Sequence, residues 1–157
     1  MSAHAHNSHR AHHGHHGGGA FATSFHATVH CLTGCVIGEV AGLMIGVSLG
    51  LSAFATIALA TGLAYLSGMT LGLVPVMRRQ RIGMLAALRI IWVGEVISIG
   101  VMELVMNWVD YEMGGMAAPS VASWMFWRGI LVAVPAGFLA AWPVNYWLLR
   151  RNLKACH

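Results

Sequence analysis

The chain has 157 residues, of which 57% are hydrophobic and only 9% charged, and its mean hydropathy is +0.68. Soluble domains carry roughly 25% charged residues, so the side chains for a water-facing surface are missing and lipid is the expected solvent. The net charge of +4 does not signal nucleic acid. The basic residues stand in short clusters between apolar runs (Arg78, Arg79, Arg81 and Arg89, then Arg150, Arg151 and Lys154), as cytoplasmic loops do.

Residues 1–19 contain seven histidines and no aliphatic side chain larger than alanine apart from the initiating methionine. Such a stretch cannot build a core and is expected to be a disordered, metal-binding tail. Removal of Met1 would expose Ser2-Ala3-His4. A free amine, two amides and the His4 imidazole then suit square-planar Cu(II) or Ni(II). No cleavable signal is expected, because no charged start with a small-residue cleavage site precedes the first apolar run.

Four apolar runs follow, at 20–50, 53–77, 90–109 and 124–149. They predict an all-α polytopic membrane protein, a bundle of transmembrane helices occupying residues 20–150, with spans at about 26–50, 53–77, 90–109 and 124–149. The basic stretch 78–89 and the acidic, Gly- and Pro-containing stretch 110–123 read as loops, and 151–157 as a short tail. The positive-inside rule puts both termini in the cytoplasm of a bacterial inner membrane. Trp92, Trp108, Trp124, Trp127, Trp142 and Trp147 lie near run ends, as interfacial belts do. In the first run Gly34, Gly38, Gly42, Gly46 and Gly50 form a small-xxx-small stripe that lets another helix backbone approach. The partner is a helix of the same chain or a second copy, as in a homodimer or higher homo-oligomer. Pro135 and Pro143 predict a bent fourth helix.

Polar groups in the spans carry the functional reading. Glu39, Glu95 and Glu103 fall inside apolar runs that hold no deep Lys or Arg. A carboxylate at a helix centre costs about 2.5–3.5 kcal/mol on insertion scales, so these groups need a hydrogen bond, a proton or an added cation. Asp110 and Glu112 are assigned to the outer loop, where they need no explanation. His26 and His30 are four apart, and Cys31, Cys35 and Glu39 form a second series at the same spacing, each series sharing a helix face. Thiolate and imidazole suit Cu(I) or Zn(II). The third span offers Glu95, Ser98, Met102, Glu103 and Met106 opposite, and thioethers favour copper. Counted inward from the cytoplasm, Cys31 and Cys35 match Glu95 and Asn145, and Glu39 matches Glu103, which would make one polar strip to mid-membrane. With three cysteines in an apolar chain, a disulfide scaffold is not expected.

The first-helix pattern H-C-x-x-x-C-x-x-G-E, the third-span E-V-I-S-I-G-V-M-E and the fourth-span W-P-V-N-Y-W-L resemble a bacterial family of small four-span membrane proteins known as a domain of unknown function. The resemblance covers about residues 25–150. It implies that His30, Cys31, Cys35, Glu39, Glu95, Glu103 and Asn145 are characteristic polar positions, and it implies no settled activity.

The expected function is therefore transition-metal binding within the bundle, copper first and zinc second, in metal handling. The ligands would be drawn from His26, His30, Cys31, Cys35, Glu39, Glu95, Met102, Glu103 and Met106, with His4 in the tail. The alternatives are cation- or proton-coupled transport through the intramembrane glutamates, and a structural partner-binding bundle. Haem held by His26 and His30 of one chain is disfavoured, since one helix face cannot supply both sides of an iron. No Ser-His-Asp set, P-loop or dinucleotide fingerprint marks an enzyme.

Overall fold

Long apolar segments separated by short polar turns have one low-energy form in lipid, the helix, because every backbone N–H and C=O must be satisfied within the segment. The computed structural model describes residues 17–151, without the side chains of 17–20 and 79. It contains α1 (Gly17–Ser48), α2 (Ala53–Gln80), α3 (Met84–Glu112), a 3₁₀ turn (Gly115–Ala117) and α4 (Trp124–Arg150). All four α-helices are long and apolar enough to cross a membrane. The part of the tail at 1–16, including His4, and the last residues, including Cys156 and His157, lie outside the described residues.

The helices overrun the sequence-derived spans. At 27 to 32 residues each they measure about 40–48 Å, longer than the ~30 Å hydrocarbon layer. Their charged end turns can therefore project beyond the lipid tails. The basic segment expected as a loop over 78–89 shrinks to 81–83, with Arg81 in the left-handed region at φ 52°. At its other end α3 continues to Glu112, into the expected acidic loop. The helix α1 begins at Gly17, inside the segment expected to be disordered. Its first turns are anchored by Phe21 and Phe25, whose rings lie 4.8 and 5.6 Å from that of Trp142.

The turn after α1 follows from Gly50. With φ 62°, it allows the Leu51 N–H to reach the Gly46 carbonyl at 2.9 Å and the Gly50 N–H to reach that of Val47 at 3.2 Å, the Schellman pattern. Ser52 and Ser123 then cap α2 and α4 by accepting the backbone N–H groups of Ala55 and Phe126.

The glycine stripe has its partner within the chain. A Cβ at Gly34 would meet the Gly68 backbone, one at Gly38 the Leu63 carbonyl, one at Gly42 the Ala60 backbone and one at Gly46 the Thr56 side chain. Thus α1 lies backbone to backbone on α2, and the stripe is not a free surface for a second copy. Gly137 does the same for α4, where a Cβ would strike Met106 and crowd Met102 of α3. Pro135 and Pro143 both lie within α4, which continues unbroken through them. Trp92, Trp108, Trp124, Trp127 and Trp147 are exposed to the surroundings. Trp142 turns inward and donates from Nε1 to Ser24.

Candidate functional site: a polar interior in three tiers

One face of α1 looks at α2 through glycines, and the adjacent face carries Ser24, Thr28, Cys31, Cys35 and Glu39, all buried. The buried face of α3 carries Glu95, Ser98, Met102, Glu103, Met106, Asn107 and Asp110. Asn145 comes from α4. The helical repeat brings these side chains into the bundle because each set recurs at three- and four-residue steps.

The first tier is fully hydrogen-bonded. Asn145 Nδ2 donates to Thr28 Oγ1 at 2.8 Å, and Thr28 Oγ1 donates to the Ser24 carbonyl at 2.7 Å. Ser98 Oγ donates to Asn145 Oδ1. Trp142 Nε1 donates to Ser24 Oγ at 3.1 Å, and Ser24 Oγ in turn donates to the Phe21 carbonyl at 2.7 Å. This network ties α1, α3 and α4 together and gives each of these buried polar side chains a partner. Asn145, matched by depth counting to the cysteines, instead pairs one turn nearer the N-terminal end, at Thr28.

The second tier is sulfur. Cys31 and Cys35 are buried thiols not joined in a disulfide, and they share one core cluster with Ile99, Met102 and Met106. Cys35 and Cys31 interact through their side chains. Glu95 is buried beside Gly72 of α2, its Cδ 3.5 Å from where a Cβ there would stand.

The third tier is acidic. Glu39 and Glu103 are each 2% exposed and Asp110 is 1% exposed. Glu39 lies within electrostatic reach of both others. Both oxygens of Glu39, Oε1 of Glu103, Oδ1 of Asn107 and both oxygens of Asp110 are buried with no hydrogen-bond partner among the described residues. Glu103 Oε2 accepts from Asn107 Nδ2 at 3.3 Å, while the same nitrogen also reaches the Glu103 carbonyl at 2.9 Å and Thr61 at 3.2 Å. Arg128 turns away from the tier, donating to the Met113 carbonyl at 2.9 Å.

Asp110 corrects the sequence reading, which left it in a solvated loop. It ends the buried face of α3, four residues after Met106 and seven after Glu103, against Gly115 and Gly129, where any Cβ would strike its carboxyl. The heptad step from Glu103 was the available signal. Asn107 lies inside the expected third span, and as an uncharged amide it carries no carboxylate-like cost in lipid to single it out. Glu112 is exposed, as expected.

The histidines do not join the thiols. His26 and His30 are exposed and stand at four-residue steps before Gly34 of the glycine stripe. His30 Nε2 lies 3.2 Å from the Leu71 carbonyl, and His26 sits edge-on to Phe25. Among the described residues no three His, Cys, Asp or Glu side chains gather as a group that could hold a metal ion.

Residues 20–154 match the family described as a domain of unknown function, DUF4396. The chain belongs to that family. The match spans all four helices and starts after the histidine-rich stretch, so the tail is an addition to the DUF4396 domain. No curated protein and no solved structure matches the chain.

Proposed function

We propose that this DUF4396 protein moves a cation, the proton first, through the buried carboxyl tier formed by Glu39, Glu103 and Asp110. The observation that carries the reading is the set of five carboxyl oxygens, buried and without hydrogen-bond partners among the described residues, in helices that cross the membrane. Ionisable groups at such depth are expensive and are retained chiefly where ions or protons pass. Glu103 and Asp110 stand two helical turns apart on α3 and Glu39 lies within electrostatic reach of both, which offers a proton more than one site to occupy, with the Asn107 amide beside Glu103. On the positive-inside argument the acidic tier lies in the outer half of a bacterial inner membrane, with both termini cytoplasmic.

The test is proton uptake into protein-containing liposomes driven by a potassium diffusion potential. Glu103→Gln and Asp110→Asn should each reduce uptake to the level of empty vesicles, and Cys31→Ser should leave it unchanged. Equal uptake by all variants rules the reading out.

A second reading keeps the metal. Cys31, Cys35, Met102 and Met106 share one core cluster, and two thiols with two thioethers suit Cu(I) ahead of Zn(II). On this reading the histidine tail gathers the ion, and the sulfur tier holds it as part of metal handling. Protein lacking residues 1–19 should then retain copper near one ion per chain by elemental analysis, and Cys35→Ser should lose it. A homo-oligomer, on either reading, would form through a face other than the glycine stripe.

A further inference from the structure

A lateral groove with a cavity of about 560 Å³ lies between α2 and α3. The two helices are close toward the end where the 81–83 turn joins them. A Cβ at Gly68 of α2 would come 3.0 Å from Ile99 Cδ1, and one at Gly72 3.5 Å from the Glu95 carboxyl carbon. Toward the other end the groove separates them. Tyr65 marks the change, its hydroxyl donating to the Val96 carbonyl of α3 at 3.1 Å. Gly100 makes that reach possible, because a Cβ there would come 2.8 Å from the same hydroxyl. From this floor the lining runs along α3 to Glu112, the last residue of the helix.

Length, opening and chemistry all fit one lipid chain. Gly100 to Glu112 spans about 18 Å at 1.5 Å per residue, against about 15 Å for half of the hydrocarbon layer, so the groove is one leaflet deep. Leu104 and Trp108, 71% and 68% exposed, open it sideways to the lipid. The wall is almost wholly apolar. Glu103 and Asn107 belong to it but are buried, and the Thr61 hydroxyl oxygen already accepts from Asn107 at 3.2 Å. The exposed polar groups of the lining stand at the mouth, where Tyr111 and Glu112 end the helix and the Trp108 indole lies one turn below. The lining holds no Lys, Arg or His, and Arg128, at the same end of the bundle, donates to the Met113 carbonyl. The mouth is therefore acidic, and a headgroup with an ammonium is the one that complements it.

We propose that this groove binds a phospholipid with an aminoethyl headgroup, a phosphatidylethanolamine, as a resident ligand. One acyl chain lies between Ile57 and Leu104 and ends at the Tyr65 floor, and the ammonium donates to the Glu112 carboxylate. Trp108 and Tyr111 take the interfacial level, where rings with one polar end are favoured. The ammonium–carboxylate bond is charge-assisted, but an exposed ion pair is worth little. The headgroup therefore sets a preference, while burial of the chain supplies the binding. The inference makes no use of the proton path through the carboxyl tier and stands apart from it.

The experiment places the full chain in phosphatidylglycerol nanodiscs that contain a rising fraction of phosphatidylethanolamine with a mid-chain diazirine. Adducts are mapped by mass spectrometry after irradiation. Leu131 of α4, 60% exposed and at about the same depth from that end of the bundle as Leu104, reports bulk lipid. Labelling of residues 100–112 should saturate at a low fraction of the probe, while labelling of Leu131 should rise in proportion to it. Half-saturation should need about threefold more probe in Glu112→Gln. Leu104→Trp, which fills the opening, should reduce groove labelling to the proportional behaviour of Leu131. Proportional labelling of the unmutated groove overturns the proposal and leaves bulk lipid in contact with it. Saturation by a phosphatidylglycerol probe at the same fraction, or unchanged half-saturation in Glu112→Gln, overturns it as well, because the mouth then has no preference for the amine. Protection of the groove that vanishes at one chain per disc would give it instead to a second copy.

Discussion

Two glycine-to-alanine substitutions in this bundle should have opposite signs, and the difference follows from what each new methyl meets. At Gly38 a Cβ runs into the carbonyl carbon and oxygen of Leu63, with the Ser67 hydroxyl beside it. A main-chain carbonyl in mid-helix has no alternative rotamer, so α1 and α2 must separate. Overpacking of this kind costs about 1–3 kcal/mol, and the rigid obstacle argues for the upper part of that range. Alanine recovers about 1 kcal/mol of helix propensity over glycine, leaving a net loss of about 1–2 kcal/mol. At Gly62 a Cβ meets nothing within 4 Å, so only the propensity gain of about 1 kcal/mol remains. The two variants should therefore differ by about 2–3 kcal/mol. Reversible unfolding in mixed micelles with increasing dodecyl sulfate, followed by tryptophan fluorescence, measures both. Gly38→Ala should unfold at lower dodecyl sulfate than the parent chain and Gly62→Ala at the same or higher. Equal midpoints, or Gly38→Ala the more stable, would show that α1 does not lie on α2 as described.

Asn145→Leu should lower stability by about 1–3 kcal/mol in the same assay, because it strips partners from the buried Thr28 and Ser98 hydroxyls. Trp142→Phe, which preserves the stacking with Phe21 and Phe25 but removes the donor to Ser24, should cost about 1 kcal/mol. In a Cys156→Ser background, Cys31 and Cys35, at 4% and 0% exposure, should resist a membrane-impermeant maleimide until the protein is unfolded; rapid labelling of the folded chain would place them elsewhere. Gly129→Ala should destabilise the end of the bundle where α3 meets the start of α4, since its methyl collides with the Asp110 carboxyl, and Gly129→Ala combined with Asp110→Ala should recover part of the loss.

The architecture was written in the sequence at the level of period and length. Apolar runs long enough to span lipid gave the four helices, and the four-residue glycine spacing gave the face on which α1 packs. Its partner was not legible, because a stripe of small residues fits any backbone, whether α2 or a second copy. Helix ends were misplaced for a related reason. Charge marks where lipid stops, whereas hydrogen bonding continues the helix past that point, so Arg78, Arg89 and Asp110 were assigned to loops and are helical. The carboxyls Glu39 and Glu103 stand out by their cost in lipid, whereas Asp110 stands where hydropathy fades and Asn107, inside the span, carries no charge to mark it. His26 and His30 lie close to Cys31 in the sequence, but the 100° turn per residue separates their line from that of the thiols, and His30 reaches the Leu71 carbonyl of α2.

Glu39 offers the most direct test of the central claim. Its carboxyl is buried with both oxygens unpartnered among the described residues, and it lies outside the lateral groove. Replacing it by glutamine therefore changes one carboxyl of the acidic tier and leaves Glu103 and Asp110 in place. Proton uptake into vesicles under a fixed potassium diffusion potential should fall to background in Glu39→Gln while the circular dichroism of the protein is unchanged. Uptake at the parental rate from a folded Glu39→Gln protein would contradict the account.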